Sequence, residues 1–356
     1  MSQVVDQLAE ITGFRDRDLL DTTLVTALRD LLRPVRVAIH RCVGDDADRR
    51  WLTRANLALR DVAAGADPLW ADLNALPPLD AYPARLQALR LQEAVSLAGP
   101  THLAVFPLTT DHEVVGVLEV ESELPLDVAS HRMVGSILRI YRNFQALLDY
   151  SERDTLTGLL NRKTFDDVFG KLALASVSAQ GDDADADADS AVASAGDNAE
   201  RRTLPVPRPH FIGVIDIDHF KRVNDTHGHL IGDEVLLLLS RLMRSVFRFD
   251  DRLYRFGGEE FVVLMRCGNE QEAGLAFERL RVAVQGYDFP LVGTINVSVG
   301  FTQIRDGDTP SSAFERADRA VYWVKAHGRN QVRNHGDLTA SGELIDESKV
   351  GDVELF

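Results

Sequence analysis

The residues best suited to chemistry lie in Arg255-Phe256-Gly257-Gly258-Glu259-Glu260-Phe261. Leu253-Tyr254 before it and Val262-Val263-Leu264-Met265 after it are short runs of β-formers, so the Gly-Gly pair predicts a β-hairpin. Glycines accept positive φ and carry no side chain, so phosphates can approach the backbone closely there. Glu259 and Glu260 stand at the mouth of this hairpin. Carboxylates beside a bare turn are poorly placed to bind an anion directly, but they can hold a hard cation that in turn holds phosphate. A further acid, Asp216, sits at the end of the apolar run Phe211-Ile212-Gly213-Val214-Ile215, a predicted strand. If the two strands are neighbours, Asp216 and Glu259 converge, a pairing suited to Mg²⁺ with positions left open for substrate phosphate. Two such ions can activate a hydroxyl and neutralise a leaving pyrophosphate. Lys221, Lys325 and Arg329 lie near predicted element ends and could hold the remaining phosphates. Asn224 and Asp233 combine an amide with a pure acceptor, which suits the Watson–Crick edge of guanine. Taken singly, each of these also reads as a surface charge, a cap or a solvated hairpin acid.

The elements that must position these groups follow from periodicity. Phe211 to Asp218 is a strand ending in two acids, and a helix starts with His219, Phe220, Lys221, Val223 and Asn224. Gly232-Asp233-Glu234 opens another helix, Val235 to Phe247. Helices are also expected over 163–176, 270–285 and 313–326, and a strand over Thr294 to Phe301. Gly328, Arg329 and Asn330 follow the last helix, and the polar tail after about Asn334 is expected to fray. Residues 177–209 contain Gly181-Asp182-Asp183-Ala184-Asp185-Ala186-Asp187-Ala188-Asp189 and then Pro205, Pro207 and Pro209. Without large apolar residues this insertion cannot recover the entropy of ordering. It also lacks the turn glycine and the closing glutamate of a calcium loop.

Towards the N-terminus, Leu19, Leu20, Leu24, Ala27, Leu28, Leu31 and Leu32 mark a helix over 11–32 that Pro34 ends. Val35 to Cys42 alternates as a strand, with a turn at Gly44-Asp45-Asp46. Residues 51–95 are ambiguous. His102 to Leu108 and Glu113 to Val120 form a hairpin across Thr109-Thr110-Asp111-His112. From Leu126 to Ser151, Val134, Ile137, Tyr141, Phe144 and Leu148 draw one apolar seam. That seam suits either a helix packed on its own domain or, from its place between two domains, a dimerising signalling helix.

The length of 356 residues suggests two domains. A net charge of −16 argues against nucleic-acid or anionic-membrane binding. The two cysteines, Cys42 and Cys267, lack metal spacing and fit a reducing compartment. Neither a signal peptide in Met1 to Glu10 nor a bilayer-length apolar run is visible, so a cytoplasmic protein without membrane insertion is expected. His40, His102 and His112 read as core or surface residues.

The segment from Asp154 to about Val332 resembles the GGDEF family of diguanylate cyclases, in its GGEEF variant. The blocks that carry the resemblance are Asp154 to Arg162, Asp216-Ile217-Asp218-His219-Phe220-Lys221 with Asn224-Asp225 and Gly228-His229, and Gly232-Asp233. Gly257 to Phe261 and Ala317-Asp318 through Tyr322, Lys325, Gly328, Arg329 and Asn330 complete the set. The resemblance implies an α+β chain whose C-terminal domain has a βαββαβ palm-like core. It implies condensation of two GTP into cyclic di-GMP with release of two pyrophosphates, by a homodimer whose two sites face each other. By position, Asp216, Glu259 and the carbonyl of Ile217 would hold Mg²⁺ or Mn²⁺, with Glu259 also a candidate to deprotonate the 3′-hydroxyl. Asn224 and Asp233 would read guanine. Phe220, Lys221, Gly257, Gly258, Lys325 and Arg329 would contact GTP. Arg248 and Asp251, with Arg279, would form a product-inhibition site for cyclic di-GMP; alone, such an Arg–Asp pair is a surface ion pair of little energy. The long acidic insertion and Val324, where the family has a smaller residue, depart from the pattern.

The N-terminal region, through Phe106-Pro107-Leu108 and Val114-Val115-Gly116-Val117-Leu118, is similar to GAF-type sensory domains, which hold a small ligand or only dimerise. The expected order is a GAF-like domain over 1–125, a signalling helix over 126–152, a GGDEF domain over 153–335 containing the disordered insertion 177–209, and a flexible tail over 336–356. The alternatives are a non-catalytic cyclic di-GMP or GTP receptor, and a dimerising signalling module.

Overall fold

A computed structural model of the chain describes residues 17–44, 48–68, 71–110, 114–181 and 208–345. It separates into two compact units, Met1–Glu152 and Arg153–Phe356. The expectations for Met1 to Glu10, for Asp45-Asp46, for the turn at Asp111-His112 and for most of the acidic insertion fall outside the described residues.

The first unit runs α1 (Arg17–Leu32), β1 (Arg36–Val43), β2 (Arg50–Ala58), α2 (Pro83–Leu91), β3 (Val95–Ala98), β4 (His102–Thr109), β5 (Val114–Ser122) and α3 (Val128–Glu152). Its five strands form an antiparallel sheet in the order β2-β1-β5-β4-β3. Because successive strand residues point to opposite faces, Leu118 and Val120 join α1 and α3 in one core while Val117 joins α2 in another. A β-rich unit with helices on both faces is compatible with a GAF-like domain. Strand β2 lay hidden in the ambiguous stretch 51–95: a bulge opposite Ile39/His40 breaks the alternation that would have marked it. Pro83 stands at the start of α2, where its missing N–H costs nothing.

The seam of α3 is core of its own unit. Val134, Ile137, Tyr141 and Leu148 are buried against α1 and the sheet, with Phe144 packed beside them. The Tyr141 hydroxyl donates to Asp21 and accepts from Arg41 at 2.8 Å and from Gln145 at 3.0 Å. Those side chains are therefore not a surface for a partner helix, and a dimerising role cannot rest on this seam.

The second unit contains β6 (Leu160–Asn161), α4 (Arg162–Gly181), β7 (His210–Ile217), α5 (Phe220–His227), α6 (His229–Val246), β8 (Arg252–Gly257) and β9 (Glu260–Arg266). It continues with α7 (Glu270–Gly286), β10 (Asp288–Phe289), β11 (Gly293–Thr294), β12 (Val297–Gln303), α8 (Pro310–Ala326), β13 (Val332–Asn334) and α9 (His335–Ala340). Six strands lie in the order β13-β12-β7-β9-β8-β6, with β10 and β11 a separate pair. On one face Phe211, Ile215, Phe261 and Val263 pack with Leu236 and Leu239 of α6 and Phe277 and Leu280 of α7. The alternate positions of β7 and β9 include Asp216 and Glu260, which stand opposite each other in the ladder. They share the other face with α8.

Two expected boundaries are corrected. Helix α4 extends to Gly181, so residues 177–181 are helical and do not belong to a disordered insertion. The tail from 336 begins as helix α9, where His335 and Leu338 are buried and the Leu344 N–H donates to the Leu338 carbonyl at 3.0 Å. Local polarity concealed this, because one leucine in a short polar run carries no periodicity.

Candidate active site

The Gly-Gly hairpin joins β8 to β9, with Gly257 at φ +139° and Gly258 at φ +53°. Both values fall where an L side chain is strained, so the turn needs glycine for its backbone rather than for space. Arg255 braces the turn from behind. Its Nη2 donates to the Gly258 carbonyl at 2.8 Å, and its Nη1 reaches the Asp154 carboxylate at 3.0 and 3.2 Å. Asp154 also accepts from the Thr157 N–H at 2.8 Å and hydroxyl at 2.7 Å. Burial pushes this carboxyl up, yet the bonds from Thr157 and Arg255 outweigh it and hold the pKa below the ordinary value. Asp154 enters the sequence reading only within the block Asp154 to Arg162 of the resemblance, without a role, and this brace is missed there. The signal available was an arginine two residues before Gly257 and an unassigned acid.

Asp216 is 5 % exposed. Its Oδ2 lies 2.7 Å from Lys325 Nζ, contributed by the last turn of α8, while its Oδ1 is buried without a hydrogen-bond partner. Burial raises the Asp216 pKa; Lys325 opposes this and the charges of Asp218 and Asp318 add to it. Glu259 is raised by burial and then by Asp216, and Glu260 by burial, Asp318 and Asp216. Asp318 is raised by burial as well. Lys325 and, for Glu260, Arg162 oppose these rises without cancelling them. An orphan carboxylate oxygen among hard oxygen donors with insufficient positive charge fits a divalent cation of the Mg²⁺ type. Among the described residues no three His, Cys, Asp or Glu side chains converge as a metal group. A cation here would therefore draw on two carboxylates, a backbone carbonyl such as that of Ile217, and substrate oxygens. The Ile217 side chain is itself buried in the core.

The guanine-reading candidates meet where α5 passes into α6. Gly228, at φ +84°, joins the helices, and Phe220 is buried at the start of α5. A Cβ at Gly232 would lie 1.9 Å from Asn224 Oδ1, so glycine is what lets the amide lie against α6, with exposed Asp233 next in sequence. Lys221 and Arg329 are exposed and carry no ion pair among the described residues.

Arg248, Asp251 and Arg279 also come together. The Arg248 N–H donates to Asp251 Oδ2 at 2.8 Å and the Asp251 N–H to the Arg248 carbonyl at 3.1 Å, closing a tight turn. Burial pushes the Asp251 carboxyl up to about 6, against the pull of Arg248 and Arg279. Both guanidinium groups belong to exposed residues.

Residues 194–331 match the family model described as the diguanylate cyclase GGDEF domain. The chain carries a GGDEF domain. It is 39 % identical over 143 residues to the diguanylate cyclase DgcP of Pseudomonas aeruginosa, covering 38 % of this chain and 21 % of that protein. It is 42 % identical over 125 residues to the response regulator PleD of Caulobacter vibrioides, covering 33 % and 28 %. The probable diguanylate cyclase DgcT of Escherichia coli is 32 % identical over 222 residues, covering 60 % and 41 %. The chain thus spans less than half the length of these curated relatives. Among solved structures, the GGDEF domain of DgcB from Caulobacter crescentus in complex with c-di-GMP is 30 % identical, with a TM-score of 0.42. It is matched over 52 % of this chain and 93 % of that one. Residues 194–331 hold every GTP, metal and product-inhibition candidate named above, whereas Asp154, which braces the Gly-Gly hairpin, lies before them. No helix among the described residues is long and apolar enough to cross a membrane.

Proposed function

We propose that the protein is a diguanylate cyclase that condenses two GTP into cyclic di-GMP and two pyrophosphates. The observation that carries this reading is the Asp216 corner: an orphan buried oxygen, a lysine on its other oxygen, and Glu259 presented by the glycine hairpin in a segment that matches the family. In each condensation the 3′-oxygen of one GTP bonds to the α-phosphorus of the other, and the bond from that phosphorus to pyrophosphate breaks. Mg²⁺ or Mn²⁺ held by Asp216, Glu259 and the Ile217 carbonyl would supply charge neutralisation at the transferring phosphate when bound. Glu259, whose pKa burial raises, is suited to take the hydroxyl proton. Asn224 and Asp233 select guanine by offering acceptors to its N–H groups, and Lys221, Lys325 and Arg329 hold the phosphates with Phe220, Gly257 and Gly258 beside them. Because each subunit brings one GTP, turnover requires a homodimer with facing sites.

The reading extends to control. The first unit acts as a GAF-like regulatory domain in the cytoplasm, and cyclic di-GMP bound at Arg248, Asp251 and Arg279 inhibits its own synthesis. The test is to incubate purified protein, stripped of bound cyclic di-GMP, with GTP and Mg²⁺. Cyclic di-GMP and pyrophosphate are followed by chromatography, with Glu259→Ala alongside. Product from the wild type and none from the variant is expected. A confirmed dimer that makes no product would contradict the reading.

A further inference from the structure

Asp218, two residues beyond Asp216, is 8 % exposed. Its Oδ1 accepts from the Ser298 hydroxyl at 2.6 Å, its Oδ2 accepts from the Asn330 N–H at 3.0 Å, and its own N–H donates to the Asn296 carbonyl at 2.9 Å. The carboxylate therefore ties the end of β7 to β12 on one side and to the loop after α8 on the other.

That loop is strained. Gly328, Arg329 and Asn330 have φ of +107°, +61° and +47° in succession. A non-glycine residue in the left-handed region is disfavoured and persists where its surroundings over-determine it. Here two such residues adjoin. The Arg329 N–H donates to the Val324 carbonyl at 2.9 Å, closing the helix, and the next N–H is held by Asp218. From the far side, Arg281 Nη1 of α7 donates to Asn330 Oδ1 at 2.9 Å, while Glu278 grips the same guanidinium at 2.9 and 2.6 Å. What this arrangement presents is the exposed Arg329 side chain, just past the helix end that carries Lys325.

We propose that Asp218 is a positioning residue for substrate phosphate, with Arg281 as its outer support through Asn330. It fixes the left-handed Arg329-Asn330 backbone, so that the Arg329 guanidinium is presented to the triphosphate without ordering the loop at each binding event. The inference rests on the reading of Arg329 as a phosphate-holding residue. It assigns Asp218 no contact with substrate or cation: both of its oxygens are taken by Ser298 and Asn330.

The test compares the full-length chain binding 3′-deoxy-GTP, which lacks the attacking hydroxyl, with its binding of 3′-deoxyguanosine, by calorimetry. Wild type, Asp218→Asn, Arg329→Ala and the double variant are measured. Asparagine offers one acceptor oxygen where aspartate offers two, so Asp218→Asn should weaken the triphosphate by about tenfold and leave the nucleoside unchanged. If Asp218 acts through Arg329, the double variant should bind no more weakly than Arg329→Ala alone. Arg281→Gln, which cuts only the outer link, should repeat the pattern at about threefold and serves if Asp218→Asn fails to fold. Equal loss for triphosphate and nucleoside, or additive losses in the double variant, would overturn the proposal. A wild type that prefers the triphosphate no more than the nucleoside would overturn the phosphate role of Arg329 itself, and that result is visible from the wild type alone.

Discussion

Glu119 and Asp216 are equally buried carboxylates, 4 % and 5 % exposed, yet they stand in opposite electrostatic conditions. Arg85, from α2, grips Glu119 with a fork at 2.7 and 2.9 Å, and His40 Nε2 lies 3.3 Å away. Burial alone would raise the Glu119 pKa, but bonds from His40 and Arg85 bring it down to about 2. Burial holds the His40 pKa below its ordinary value, against the pull of Glu119. Asp216 has one lysine and one orphan oxygen, and burial, with the charges of Asp218 and Asp318, raises its pKa. A buried carboxylate with an arginine donor on each oxygen is architecture. One left short of positive charge is suited to receive a cation and a substrate.

This contrast can be broken from either side. The largest expected effect is at the site: Glu259→Gln should lower cyclic di-GMP formation by about a thousandfold, since it removes charge stabilisation needed at the transferring phosphate. Next, Glu119→Gln should destabilise the first unit by about 3–5 kcal/mol in chemical denaturation, because Arg85 is left buried without its partner. If Glu119→Gln were neutral, the satisfied cluster would not be holding the unit together. A smaller effect is expected at the turn of Arg248: Arg248→Ala should raise the cyclic di-GMP concentration that half-inhibits turnover by about tenfold, with uninhibited turnover unchanged.

The smallest effects are in pH dependence and have opposite signs in the two regions. Glu119 is lowered from 4.5 to about 2, so its contribution is present above pH 4.5 and is lost as pH falls towards 2. Asp251 is raised from 3.8 to about 6, so its contribution is present below 3.8 and is lost as pH rises through 6. Asp251→Asn should remove that second slope, about 1 kcal/mol after allowance for solvent screening, when unfolding is followed between pH 4 and 8.

The two regions also differ in how far their residues are legible in the amino-acid sequence alone. Gly257 to Glu260 and Asp216 at a strand end are legible because their chemistry is local: turn type and strand end. Gly232-Asp233-Glu234, expected to open a helix, instead lies inside α6, which starts at His229, because Gly228 alone makes the break between the two helices. What joins the site's segments is not legible. The fork from Arg255 to Asp154 and Gly258, and the Asp218 tie to Asn330, depend on the register in which distant segments meet. In the first unit the decisive groups leave even less trace. Glu119 alternates with Leu118 and Val120 as a solvent-facing strand residue would, and only α2 above it makes that face interior. The bulge opposite Ile39/His40 erases the pattern of β2. The α3 seam shows which side is apolar without showing whose core it enters.

The central claim is that the Asp216–Glu259 corner lacks positive charge that a divalent cation supplies. The most direct measurement is thermal unfolding of the wild type and Glu259→Gln, in chelator and then in Mg²⁺ with 3′-deoxy-GTP. The account predicts that the metal and nucleotide raise the wild-type midpoint. It predicts that Glu259→Gln starts at or above the wild type in chelator, since one crowded charge is gone, and responds little to the addition. A variant less stable than the wild type in chelator, yet equally stabilised by Mg²⁺ and nucleotide, would contradict it.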